Sequence, residues 1–183
     1  MHPEYSPMDP PQHDPSAALA LMEEAGLGDF EHELICDNEP WRSDTADAAA
    51  AMLRAAGIKV RRVNYPGSTF YNNWSDYPFS TTNWNHRPLA VQMFALAYRS
   101  GAAWNEFGFA NAEFDRLLDQ ALATADVAAR QQIVAGMQKI LRDEGVTVQP
   151  YWRSLYNHTR KGLRGGERHI AAQMFPERLY WTA

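Results

Sequence analysis

A single cysteine, Cys36, stands among the 183 residues, so no disulfide framework can form within the chain. No run of about 18 apolar residues occurs, and no ordinary membrane-spanning helix is encoded. Basic residues are scattered: 17 Lys and Arg face 22 Asp and Glu, for a net charge of −5. Without a basic cluster to track phosphates, nucleic acid is not an expected partner. The start, Met1-His2-Pro3-Glu4-Tyr5, lacks the charged-then-apolar pattern of a secretion leader. The common catalytic signatures are also missing: no Gly-x-Ser-x-Gly elbow, no glycine loop for phosphates and no His-Glu-x-x-His. Histidines at 2, 13, 32, 86, 158 and 169 show no ligand spacing. These absences predict no catalytic residue, no metal site and no cofactor.

Apolar residues make up 45% of the chain and aromatics 12%, enough to bury a core. Prolines 3, 7, 10 and 11 forbid a helix and make residues 1–13 an extended lead-in. Asp14-Pro15 reads as an N-cap followed by a first-turn proline, opening a helix over Ser16–Ala25 that Gly26 closes. A strand is predicted over Glu33–Asp37, which makes Cys36 a buried strand thiol rather than a reactive one. Ser43 or Asp44 caps the next helix, ended by Gly57, and Ile58–Tyr65 reads as a second strand. Strand, helix and strand at this spacing make a βαβ unit with a parallel pair. A short helix over Thr69–Trp74, a third strand over Phe79–Trp84 and a helix over Leu89–Tyr98 follow, then a loop over 99–111. Asn111 and Asp126 each cap a long amphipathic helix, and the two form a hairpin. Val146–Tyr151 reads as another strand, and the tail from Arg153 has no sustained period.

Three loops carry the polar and aromatic side chains that a binding site needs. Thr82-Asn83-Trp84-Asn85-His86-Arg87-Pro88 follows the third strand, where open α/β sheets bind ligands, and opens a helix whose N-terminus favours an anion; Trp84, Asn85, His86 and Arg87 are its candidate contacts. Trp104-Asn105 and Tyr151-Trp152 lie on the other two. Tryptophan and tyrosine offer stacking faces, while Asn, His and Arg supply directional hydrogen bonds. For any one tryptophan, partial burial in packing is the competing reading. A small stand-alone α/β enzyme using His86 with a distant carboxylate is the rival function, and a protein-interaction domain built on exposed aromatics is a third.

Four segments in order resemble one family. They are Asp14-Pro15-Ser16 through Glu24-Ala25-Gly26, then Asp47 through Leu53-Arg54-Ala55-Ala56-Gly57-Ile58-Lys59-Val60, then Asn111-Ala112-Glu113-Phe114-Asp115-Arg116-Leu117-Leu118, and last Asp126 through Arg130 with Gln138-Lys139-Ile140-Leu141 and Gln149-Pro150-Tyr151. Together they are similar to the C-terminal portion of the extracytoplasmic solute-binding proteins of ABC importers, family 5, the dipeptide, oligopeptide and nickel type. The resemblance implies an α/β fold of the periplasmic-binding-protein type II, peptide-binding class. Residues 14–150 are then most of the second lobe, and 151–183 a crossover tail returning to a first lobe that is missing here. It further implies a protein that is monomeric and periplasmic at full length, starts with a signal peptide, closes on a small-molecule or peptide solute, and delivers it to the permease subunits. Peptide-binding members hold the ligand's ammonium with an aspartate in the loop before a proline. Counted back from Pro88, that place falls on Trp84, and the segment 84–87 has no carboxylate. An anion, a sugar-like or aromatic solute, or a peptide held differently stay open.

Overall fold

In the computed structural model, residues 4–154, 156–167, 169 and 173–182 are described. The first three residues of the lead-in and parts of the tail thus lie outside the described residues. Two compact units result, one of residues 7–84 and one of residues 85–183 with the N-terminal six.

In the first unit, β1 (His32–Asp37) and β2 (Val60–Tyr65) pair in parallel, with His32 opposite Val60 and Asp37 opposite Tyr65. Four consecutive β1 residues, Leu34 to Asp37, are buried, as in a strand covered on both faces. Helix α1 (Pro15–Glu24) starts as predicted, with the Asp14 carboxylate accepting the Ala17 amide at 2.9 Å. The crossover helix α2 (Pro40–Ala55) begins earlier than the predicted Ser43 or Asp44 cap, because Pro40 occupies the first turn, where its missing N–H costs nothing. Ala46 and Ala50, one turn apart and fully buried, let this helix lie close against the strands. Gly57 follows α2 with φ of 91°, a conformation that favours glycine, so the turn into β2 is read correctly. Helix α3 is Gly67–Asn72, slightly ahead of the predicted Thr69–Trp74.

The third strand predicted over Phe79–Trp84 shrinks to one parallel bridge, Ile35 to Ser80. The Ile35 amide donates to the Phe79 carbonyl at 3.0 Å, and the Thr81 amide to the Ile35 carbonyl at 2.9 Å. Downstream of the bridge, the side chain of Asn83 is held by Arg42 at 2.7 Å.

In the second unit, α4 (Ala90–Met93) runs into a π-helical turn at Phe94–Tyr98, closed by the Arg99 amide donating to the Phe94 carbonyl at 2.9 Å. The uniform helix predicted over Leu89–Tyr98 is thus widened in its second half. Helices α5 (Ala112–Ala123) and α6 (Val127–Asp143) form the predicted hairpin, with the Asn111 and Asp126 side chains accepting the Phe114 and Ala129 amides. Phe114 is fully buried and meets Phe94 and Phe109 edge-on at ring distances of 5.5 and 5.1 Å. No strand forms over Val146–Tyr151; this stretch is largely exposed and meets no partner strand among the described residues. The tail instead pairs β3 (Leu163–Arg164) with β4 (Tyr180–Trp181) antiparallel. Gly165 follows β3 with φ of 80°, and a Cβ there would lie 1.8 Å from the Arg178 carbonyl oxygen, so only glycine fits.

Residues 4–6 do more than lead in. Glu4 is fully buried and pairs with Arg130 of α6, while its second oxygen accepts the Ala90 amide at 2.5 Å. Arg130 also donates to the Thr124 carbonyl in the hairpin turn at 2.7 Å. Gln131 and Gln138 of α6 hydrogen-bond the backbone of Tyr5 and Ser6.

Tyr98 stacks on Phe107 at 4.6 Å, and burial, with a smaller contribution from Glu106, pushes its phenol up to about 12. Below its unfolded value, about pH 10, the group is neutral in both states. As pH rises from there toward 12, only the unfolded chain ionises, so stability is lost over that window. Urea unfolding followed by circular dichroism is expected to show a steeper loss between about pH 9 and about pH 11 for the wild type than for Tyr98→Phe. Equal slopes would contradict this.

Candidate functional site at the carboxyl edge of the parallel strands

β1 ends on Asp37, only 2% exposed. A charge buried that deeply needs a partner, and Arg42, in the first turn of α2, supplies it in bidentate fashion: Nε donates to Oδ1 at 2.7 Å and Nη2 to Oδ2 at 2.5 Å. The hydrogen bonds that the guanidinium donates to Asp37 hold its proton more tightly than in an ordinary arginine. The remaining nitrogen, Nη1, donates to Asn83 Oδ1 at 2.7 Å. The rings of Trp41 and Tyr71 lie 5.0 and 5.8 Å from the guanidinium carbon, close enough for cation–π attraction.

Around this anchor the edge is aromatic. Trp84 meets Trp74 edge-on at 5.8 Å. Tyr65, the last residue of β2, stacks on Tyr77 at 5.9 Å. Asp76 lies exposed on the turn between Trp74 and Tyr77, its amide donating to the Asn73 carbonyl at 2.9 Å. A cavity of about 330 Å³ lined by Glu31, Arg54, Ile58 and Lys59 lies at the opposite, amino end of the strands. In open α/β sheets ligands bind at the carboxyl end, which makes the edge with Asp37 and Trp84 the candidate site.

Of the residues singled out from sequence, Trp84 lies in this unit, half-buried at the edge. Asn85, His86 and Arg87 fall in the other unit, where Asn85 and His86 are exposed and Arg87 donates to the Asn85 carbonyl at 3.0 Å. The N-terminus of α4, read as a place for an anion, already holds the Glu4 carboxylate. Trp104 is 47% exposed; Asn105 ties its own loop together, donating to the Arg99 and Phe109 carbonyls and accepting from Phe107. Tyr151 and Trp152 are exposed, Trp152 at 83%. Sequence reasoning missed Asp37, Arg42 and Asp76, and placed Asn83 in the right loop without naming it as a contact. The available signal for the pair was an aspartate ending an apolar strand with an arginine in the next helix turn. Among the described residues no cluster of His, Cys, Asp or Glu is arranged to hold a metal ion. Cys36 is buried as predicted, although Arg62 Nη2 lies 3.1 Å from its sulfur, a positive neighbour that the sequence did not announce.

The model for bacterial extracellular solute-binding proteins, family 5 (middle portion), matches residues 1–106, and the chain belongs to that family. Among curated relatives, a probable D,D-dipeptide-binding periplasmic protein of Escherichia coli K12, DdpA, is 27% identical over 72% of this chain and 27% of its own length. The dipeptide-binding protein DppE of Bacillus subtilis is 23% identical over 74% of this chain and 26% of its own. The chain therefore spans about a quarter of the length of these relatives. Among solved structures, OppA of Burkholderia pseudomallei matches with a TM-score of 0.78 at 19% identity, over 92% of this chain and 35% of that one. HbpA2 of Haemophilus parasuis matches with a TM-score of 0.74 at 19% identity, over 98% and 38%. These likenesses establish the fold, an α/β fold of the periplasmic binding proteins, as the sequence resemblance implied.

Replacing Arg42 with Met leaves the Asp37 carboxylate buried and unpaired, and is expected to cost the chain about 3 kcal/mol in urea unfolding. An Arg42→Met chain as stable as wild type would show that the pair does not organise this edge.

Proposed function

We propose that this chain is part of the substrate-binding component of an ABC importer, which captures a small solute between two lobes and hands it to the membrane permease. The observation that carries the reading is the carboxyl edge of the β1–β2 unit, where the Trp74–Trp84 ring pair stands beside an exposed carboxylate and a side chain oriented by a buried ion pair. Flat rings desolvate a solute and fixed polar groups orient it, which is what a binding protein needs. Family membership leaves the small enzyme built on His86 without support. The curated relatives are named for dipeptides, so a short peptide or peptide-like compound is the solute class proposed first. Asp76, two residues before Pro78 and exposed beside Trp74, is a carboxylate suited to the ammonium of such a solute. Asn85, His86, Arg87, Trp104, Asn105, Tyr151 and Trp152 are retained as proposed solute contacts from their own unit.

Residues 14–150 are assigned to one lobe and 151–183 to a tail that returns to the other. Supporting the second assignment, the tail leaves Trp152, Tyr156, Met174, Tyr180 and Trp181 exposed, more apolar surface than a short segment ordinarily leaves in water. The full-length protein is proposed to be monomeric, to work outside the cytoplasm, and to meet the permease subunits of the importer.

The test is titration of the full-length protein with free and N-acetylated dipeptides, followed by tryptophan fluorescence. Trp84→Ala is expected to weaken binding about tenfold through loss of stacking. Asp76→Asn is expected to weaken the free-amine peptides and leave the acetylated ones unchanged. Unaltered affinity in Trp84→Ala would remove this edge from the binding site.

A further inference from the structure

Asn83 is exposed, yet its amide is not free to face either way. Arg42 has only donors, so the oxygen of Asn83 must be the atom turned toward Nη1, at 2.7 Å. Arg42 is itself held by the buried Asp37 carboxylate at 2.7 and 2.5 Å, with Trp41 and Tyr71 flanking the guanidinium. Its side chain is 16% exposed, and the Asp37 side chain 2%. The polarity therefore runs one way, from carboxylate to guanidinium to amide oxygen, and leaves the NH₂ group of Asn83 as the face available to a solute.

The position of that group is also set by the backbone. Ser80 lies opposite Ile35 and the chain runs parallel to β1, so Asn83, three residues on, stands just past the end of the strand at Asp37. Trp84 is its immediate neighbour, against Trp74 at 5.8 Å. An NH₂ group beside a stacking face is a donor aimed at an acceptor on a planar or extended solute.

Resting on the reading of this edge as a solute site, we propose that Asn83 is a specificity-determining residue that donates from Nδ2 to a carboxylate or carbonyl oxygen of the solute, and that Arg42 is the positioning residue that fixes its orientation. The aspartate substitution separates the two roles. Asn83→Asp keeps an oxygen for Arg42, and strengthens that contact by making it ionic, but has no proton to donate and repels an acceptor. Asn83→Ala loses both contacts.

The experiment uses the full-length protein, a defined dipeptide library and the same library amidated at the carboxyl end, with bound peptides identified by mass spectrometry and affinities measured by calorimetry. Asn83→Asp is expected to lose about tenfold or more in affinity for the wild-type ligands, the usual effect of losing a hydrogen bond to a charged acceptor. It is also expected to hold the wild-type melting temperature and the near-ultraviolet signal of the Trp74–Trp84 pair, both readouts that a merely structural role would disturb. The loss should be larger for free-acid than for amidated peptides if the acceptor is a carboxylate, and equal for both if it is a carbonyl. Asn83→Asp binding like wild type would overturn the inference while leaving the site reading intact. A wild-type protein that retains nothing from either library would overturn the site reading, and the inference with it.

Discussion

Asp37 is the last residue of a strand whose preceding three residues are also buried, and its carboxylate is 2% exposed. Stripping water from such a charge costs several kcal/mol unless a well-placed partner and further hydrogen bonds make up the loss. Arg42 contacts both carboxylate oxygens and the Glu39 amide adds a third contact, and α2 presents Arg42 there because Pro40 starts the helix soon after the strand. The third guanidinium nitrogen then reaches Asn83, which stations the segment leading to Trp84. One requirement, neutralising a buried charge, thus links the end of β1, the start of α2 and the loop that carries the candidate stacking face.

The other unit is organised by a second buried pair of similar chemistry. Glu4 and Arg130 tie the N-terminal segment to the α5–α6 hairpin, and Glu4 also satisfies an amide at the start of α4. The core beneath is aromatic, with Phe94, Phe109 and Phe114 edge to face. Both units place a carboxylate where a helix or strand ends, and in both an arginine makes the burial tolerable. The two pairs differ in what they serve: the first ends on an exposed amide beside an aromatic face, the second on backbone carbonyls of a turn.

Much of the fold was legible in the sequence because local signals carry it. Asp14, Asn111 and Asp126 cap the helices they were expected to cap, Gly57 closes α2, and strand–helix–strand spacing yields the parallel pair. What misled were stretches whose state depends on a partner. Phe79–Trp84 and Val146–Tyr151 have β-forming composition, but a strand exists only where a neighbour completes its ladder; the first finds a single bridge and the second none among the described residues. The candidate site was half legible. Trp84 was found because tryptophan in a loop after a strand is conspicuous. Arg42 and Glu4 were not, because a charged residue reads as surface until the fold shows what it neutralises.

The chain belongs to a solute-binding family and has its α/β fold, and solute capture at the aromatic carboxyl edge is the role proposed for it. The most direct measurement is native mass spectrometry of the full-length protein, purified from its own cells without unfolding. The account predicts a mass excess of one small organic solute, peptide-like in fragmentation, that is released on denaturation and reduced in Trp84→Ala. A wild-type protein that carries no solute, and takes up none from peptide, sugar or aromatic mixtures, would contradict it.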